Sequence, residues 1–383
     1  MVSSQAVMEN QFTEQFRASL NGSEPAWLRA MKEDALLVFG DKGFPHVKIE
    51  DWKYTNVAPI GKENWKVSSF DAPAAELTGR FEALLKKFNY ERNGFTALNL
   101  AFGKFVTIAI PKETKIDEPI EISFAANENT AIFPHVLIIA EAGSKATIVE
   151  TYASPAKSFT NSAVQIVVED NANLTHYRVQ KESPEAFHVG TTEVTVGRGG
   201  LYNATSINLG GALARHDIEV KFTDEGGEAF VDGLYMLNGS QHSDTHSVID
   251  HAVPNCTSHQ TYKGVLNDKS RAVFNGKVFV RENAHGTDAQ QSNKNLLLSN
   301  EARVDTKPQL EIDNDDVKCS HGATVGQLEE EELFYLLTRG LPEGLARNLL
   351  TYGFAEEVIN KIGIDSIKKD LDAAVLNRLN AEI

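Results

Sequence analysis

Three textures follow one another along the chain. Up to about residue 95 the apolar residues recur near helical spacing: FTEQFRASL and EPAWLRAMKEDALLVFG carry positions such as Trp27, Met31, Leu36 and Leu37. The Gly and Pro of DKGFP, Asp41 to Pro45, are placed to stop the second helix. From about Phe95 the period changes to two, in VTIAI (Val106, Ile108, Ile110) and IEISF (Ile120, Ile122, Phe124), which predicts half-buried strands. From about Leu328 helical spacing returns. In QLEEEELFYLLTRG, Leu333, Leu336 and Leu337 share a face, and Glu329 to Glu332 lie in the first turn, where the helix dipole favours negative charge. Gly340 is placed to end that helix and Pro342 to open the next. Ile367, Leu371, Val375 and Leu379 then form a stripe at four-residue steps, open between packing on the strand body and docking another chain.

The strand region repeats. IIAEAGSKATIV from Ile138 aligns with IVVEDNANLTHY from Ile166, an offset of 28 that brings Glu141 onto Glu169 and Thr147 onto Thr175. A further 28 places Val194 on Ile166, Val196 on Val168 and Tyr202 on Leu174, with GRGG (197–200) in the turn. One more step places Phe230 on Tyr202, while EVKF at 219–222 slips by two. Strands at one coil per period, without helices long enough for crossovers, fit a solenoid better than a doubly wound sheet. A right-handed parallel β-helix is the first choice and a β-sandwich the competitor. The expected organisation is a helical N-terminal domain (1–95), a β-helix core (96–326) and a helical C-terminal domain (327–383).

Composition narrows the partners. With 383 residues and 42% hydrophobic content, the chain exceeds the size of one compact core, favouring an elongated body or several domains. Lys and Arg number 37 against 53 Asp and Glu, a net charge of −16, so neither nucleic acid nor an anionic membrane surface is an expected partner. Two cysteines, Cys256 and Cys319, suit a reducing compartment. The N-terminal stretch lacks a basic segment followed by an apolar run, and no apolar run approaches the roughly 20 residues that span a bilayer, so the expected location is cytoplasmic.

Two groups could carry chemistry. His242, His246, Asp250, His251, Cys256 and His259 crowd one short span and together suit a transition metal. Their spacing matches no compact zinc signature, and the turn in DHAVPN divides them; hydrogen-bonded histidines between coils are the plainer reading. The second group is DVKCSHGATVG, where Cys319 and His321 stand at i and i+2, so a strand points both to one face, with Asp313, Asp315 and Asp316 just before. Thiol and imidazole can hold iron or zinc, but two ligands leave a site half built. A Cys–His hydrolase would need a closer pair than the roughly 6–7 Å given by two residues of strand rise. No phosphate-binding glycine motif sits between a strand and a helix.

Three long stretches, SVIDHAVPNCTSHQTYKGVLNDKSRAVFNGKVFV, AQQSNKNLLLSNEARVDTKPQLEI and DVKCSHGATVGQLEEEELFYLLTRG, resemble the core of the SufB/SufD family of iron–sulfur cluster assembly proteins. The resemblance covers roughly Phe95 to the C-terminus, and EDWKYTNV (Glu50 to Val57) is similar to the D branch. Gly322 follows the motif histidine where B subunits typically carry Glu, and the chain is short for a B subunit; both favour the D branch. The departure at Gly322 puts in doubt that this chain alone supplies a scaffold carboxylate.

The resemblance implies a non-catalytic scaffold subunit of the SUF complex: one SufB-type paralogue, one D subunit and two copies of the SufC ABC-type ATPase, with homodimerisation when alone. The two β-helices would meet near their C-terminal ends. His321, with Cys319 second, would lie at that interface and handle iron or a nascent cluster, with no permanently bound cofactor. The C-terminal helices would dock the ATPase, with Phe334, Tyr335, Arg339 and Gly340 as docking positions. Alternatives are a SufB-type scaffold paralogue, a homodimeric structural protein, and a carbohydrate-binding β-helix protein.

Overall fold

The computed structural model describes residues 12–16, 24–72 and 75–378. Two parallel sheets dominate it. The first runs through Lys104–Ile110, Pro134–Ala140, Phe159–Val168, Phe187–Val196, Leu213–Phe222, His242–His251, Arg271–Val280 and Arg303–Ile312. The second runs through Ile120–Ala125, Lys145–Ala153, Asn173–Gln180, Leu201–Asn208, Glu228–Leu237, Thr257–Leu266, Thr287–Leu297 and Val317–Gly326. The chain alternates between the sheets, so each coil gives one strand to each, and the body is a parallel β-solenoid of about eight coils, as the repeat predicts.

Register explains the alternation in the sequence. One lumenal column reads Ile108, Ile138, Ile166, Val194, Val220, Ile249, Val278 and Leu310, each paired with the next across neighbouring strands. A single coil cannot bury its own inward face; stacking turns a row of β-branched residues into a continuous core. The expected pairs Ile138–Ile166, Thr147–Thr175, Ile166–Val194 and Leu174–Tyr202 all occur. Phe230 does not pair with Tyr202: it faces Asn203, because that coil is one residue shorter than 28. GRGG forms the expected turn, where Gly199 takes φ 57°, a left-handed conformation that a side chain would strain.

Helical segments cover the outer faces of both sheets. The N-terminal region contributes residues 12–16, Ala26–Lys42, Ala58–Lys62, Gly79–Leu85 and Gly94–Phe102, with Gly43 at φ 60° ending the helix that DKGFP was expected to stop. The region is not purely helical, because Lys66–Val67 pairs with Thr130 and Ala131 and extends the first sheet. Its aromatic core includes Phe12, Phe39, Phe95 and Phe102, packed against Phe133, Phe159 and Phe187 of the solenoid. The predicted FTEQFRASL helix is described only over 12–16; its remainder lies outside the described residues.

At the other terminus the helices are Glu330–Thr338, Glu343–Ile359 and Asp365–Arg378. Ala355, Val358, Ile359, Leu371 and Val375 bury against Tyr177, Val179, Ile207, Leu234 and Val265 on the outer face of the second sheet. The four-residue stripe therefore packs on the β-body, with Ile367 partly buried; Leu379 lies outside the described residues. No described helix is long and apolar enough to cross a membrane.

Candidate functional site

The two ends of the solenoid differ. At the first coils the lumen is closed: Phe70 from the N-terminal region is buried against Phe124, ring centroids 5.0 Å apart, in the same apolar cluster that fills the interior. At the last coil, Arg303–Ile312 and Val317–Gly326 each pair on one side only and form the outer edges of their sheets. Side chains there that continue buried columns are themselves uncovered. Leu310 and Val317 are half-buried, and Ile312 and Val325 remain 41% and 49% exposed. An open parallel edge presents unpaired backbone groups and half an apolar layer, which is the usual template for adding another strand.

Cys319 and His321 stand on this edge. Cys319 pairs with Ala289 and His321 with Gln291, both buried lumenal residues, so thiol and imidazole face the open end of the lumen on one side of the strand, as the i, i+2 spacing predicts. His321 is exposed; Cys319 packs partly against the core. Burial pushes the Cys319 thiol up, with the Asp288 carboxylate adding to the effect, which disfavours a standing thiolate and the nucleophile use of the pair. As soft and borderline donors they fit iron, but among the described residues no group of three or more His, Cys, Asp or Glu converges as a metal site. Asp313, Asp315 and Asp316 lie on the exposed turn before the strand and do not gather around the pair.

The histidine-rich span separates as its turn suggested. His242 and His246 share the outer side of the first sheet, whereas His251 points inward, its ring tilted against Phe222 with centroids 4.7 Å apart and hydrogen-bonded to Ser258 Oγ at 2.7 Å. His259 lies on the second sheet, 3.6 Å from Asp288. Cys256 is buried in the turn before it, and both cysteines are free thiols.

What His242 and His246 do join is a network that the sequence reading missed. The Thr55 hydroxyl donates to Asp244 (2.5 Å) and meets His242 Nε2 at 2.9 Å; His246 Nε2 lies 3.1 Å from Asp244. Buried Arg215 bonds Asp244 (2.7 Å), Asp217 (2.9 Å) and the Asp51 carbonyl (2.7 Å), with its guanidinium 3.7 Å from the centre of the Trp52 ring. Burial alone would raise the Asp244 pKa, but Arg215, His246 and Thr55 outweigh it and hold the carboxyl well below its usual range. EDWKYTNV is thus the buckle between the N-terminal region and the outer face of the solenoid. The alternation of His242, Asp244 and His246 along one side of a hydrophilic strand was the available signal; Arg215, a coil away, joins them only through register.

The predicted docking residues form a projecting arm. The helix Glu330–Thr338 buries no residue; Phe334 and Tyr335 are 67% and 56% exposed. Arg339 stacks over the Tyr335 ring at 5.1 Å, and Gly340, at φ 88°, turns the chain into the next helix. That next helix is divided along its length: Leu345 and Leu349 are exposed, while Ala355, Val358 and Ile359 are buried on the solenoid. Lys263, itself buried, reaches Glu357 and the Phe354 carbonyl, and Lys361 bonds Asp232 at 2.8 Å, so the inner half is tied by charge as well as by packing.

The chain is similar in sequence to known proteins over most of its length. Residues 123–354 match the family model described as SUF system FeS cluster assembly, SufBD core domain, and residues 5–75 match the SufBD protein N-terminal region. An iron–sulfur cluster assembly SufBD family protein of Synechocystis is 31% identical over 420 residues, covering 94% of this chain and 93% of that protein. The iron–sulfur cluster assembly protein SufD of Escherichia coli is 38% identical over 253 residues, 66% of this chain and 60% of that protein. SufD of Bacillus subtilis is 27% identical over 422 residues, 92% and 94%.

Proposed function

The chain belongs to the SufBD family of iron–sulfur cluster assembly proteins, and from that premise we propose that it is the D-type, non-catalytic partner in a cytoplasmic SUF complex. Its last coil adds to the last coil of a SufB-type paralogue. His321, with Cys319 second, enters the site completed by that paralogue, where iron or a nascent cluster is handled as cargo. The arm from Glu330 to Leu349 docks a SufC-type ATPase. A transition in that ATPase would reach the interface through the anchored half of the second arm helix.

The observation that carries this reading is the asymmetry of the solenoid: closed at its first coil, and uncapped at the coil bearing both candidate ligands. Two donors on an open edge make half a site, and an edge with half an apolar layer calls for the other half. A pull-down of the full chain and of a version ending at Gly326 tests the assignment. The full chain is expected to retain a longer paralogue and an ATPase, and the truncated chain the paralogue alone. Recovery of the full chain with neither partner would overturn the proposal and favour the homodimeric or sugar-binding alternatives.

A further inference from the structure

The buried column behind His321 turns polar over its last coils, where Val231 is followed by Gln260 and Gln291. Across the last three strands of the second sheet, Gln260 pairs with Gln291 and Gln291 with His321, one residue per coil. Both glutamines are buried, 2% and 3% exposed. Gln291 Nε2 donates one of its two N–H bonds to Gln260 Oε1 at 2.6 Å, so the amide nitrogen is turned toward the preceding coil. Its Oε1 is buried without a hydrogen-bond partner. A buried carbonyl left unsatisfied is costly, and this one lies beside the strand that carries an exposed imidazole. The side chain is also held in place: it crosses the lumen to Gly276, where a Cβ would fall 2.3 Å from Gln291 Nε2. Glycine at 276 thus keeps the space that lets Gln291 lie flat beneath the last coil.

We propose that Gln291 is a positioning residue for His321: its Oε1 accepts a hydrogen bond from the imidazole Nδ1–H. That bond fixes the tautomer in which Nε2 carries the free lone pair and points away from the coil, toward the open end. Histidines that hold metals commonly give their other ring N–H to a carbonyl or carboxylate, which orients the ring and strengthens it as a ligand. Neighbouring strands stand about 4.8 Å apart, within reach of such a bond between side chains paired in register. Gln260 acts one step further back, holding the Gln291 amide with its oxygen outward. The inference rests on the reading of His321 as the iron-handling ligand but is tested without cluster chemistry.

The full chain, labelled with 15N-histidine, is examined by long-range 1H–15N correlation at a pH where the imidazole is neutral, the His321 signals being identified by their loss in His321→Ala. The expected wild-type pattern is that of the Nδ1–H tautomer. Gln291→Leu, which removes the acceptor, is expected to move the population to Nε2–H, and Gln291→Glu, which keeps an acceptor, to retain Nδ1–H. A wild-type His321 that is mainly Nε2–H, or one whose tautomer is unchanged in Gln291→Leu, overturns the proposal. Because the wild-type spectrum alone decides the first point, a Gln291→Leu chain that fails to fold leaves the test standing. Normal cluster assembly by His321→Ala would instead remove the functional reading and leave the tautomer result intact.

Discussion

His135 and His251 sit inside the protein with their pKa values pushed down by burial, each to about 4. His135 is enclosed by Asn99, Gln165 and the Phe88 and Phe105 rings, with Lys32 adding to the depression; His251 has Phe222 and Ser258. Unfolded, both take up a proton near pH 6.5; folded, both stay neutral until about 4. Between those values the unfolded state binds more protons, so stability falls as pH drops through the window and shows no contribution from these groups above it. Urea unfolding is expected to show a loss of up to about 3 kcal/mol per site between pH 6.5 and 4, with a shallower slope in His135→Gln. Arg215 gives a second residue-scale expectation. Arg215→Met strands the buried carboxylates of Asp217 and Asp244 and is expected to cost about 3–5 kcal/mol in the same assay.

The elements divide into those that hold and those that reach. Leu371 and Val375 hold the C-terminal helices on the second sheet, whereas Phe334 and Tyr335 touch little of their own chain. Phe334→Ala with Tyr335→Ala should leave stability within about 0.5 kcal/mol while abolishing capture of the ATPase. Leu371→Ala should cost about 2–5 kcal/mol, read from the urea midpoint. The repeat was legible because β-branched residues recur wherever register stacks them: Ile138, Ile166 and Val194 follow at steps of 28. It blurred where turns changed length. Val194 to Val220 is a step of 26 and Val278 to Leu310 a step of 32; Asn203 to Phe230 is a step of 27, which is how Phe230 came to be placed opposite Tyr202. Nothing in a strand's own residues reports the length of the turn that precedes it.

At the scale of the whole molecule, the solenoid is clasped on one face by EDWKYTNV and on the other by the C-terminal helices, and among the described residues its last coil is uncovered. Cys319 and His321 were legible as a pair because alternation alone puts i and i+2 on one side. Their place on the last coil followed from the expected end of the β-helix core at 326 and from the family resemblance, not from alternation, which does not say which coil is last. The Thr55–Asp244–Arg215 network and the role of Gln291 escaped because their partners lie far apart in sequence or one coil away, and only register brings them together. The central claim is that this uncovered end, through His321, takes part in cluster formation. The most direct measurement is the rate of cluster formation, followed by visible absorption and circular dichroism, on the complex reconstituted with wild-type chain or with His321→Ala. The account predicts that the variant complex assembles with unchanged stoichiometry and forms no cluster. A variant complex that forms clusters at the wild-type rate would contradict it.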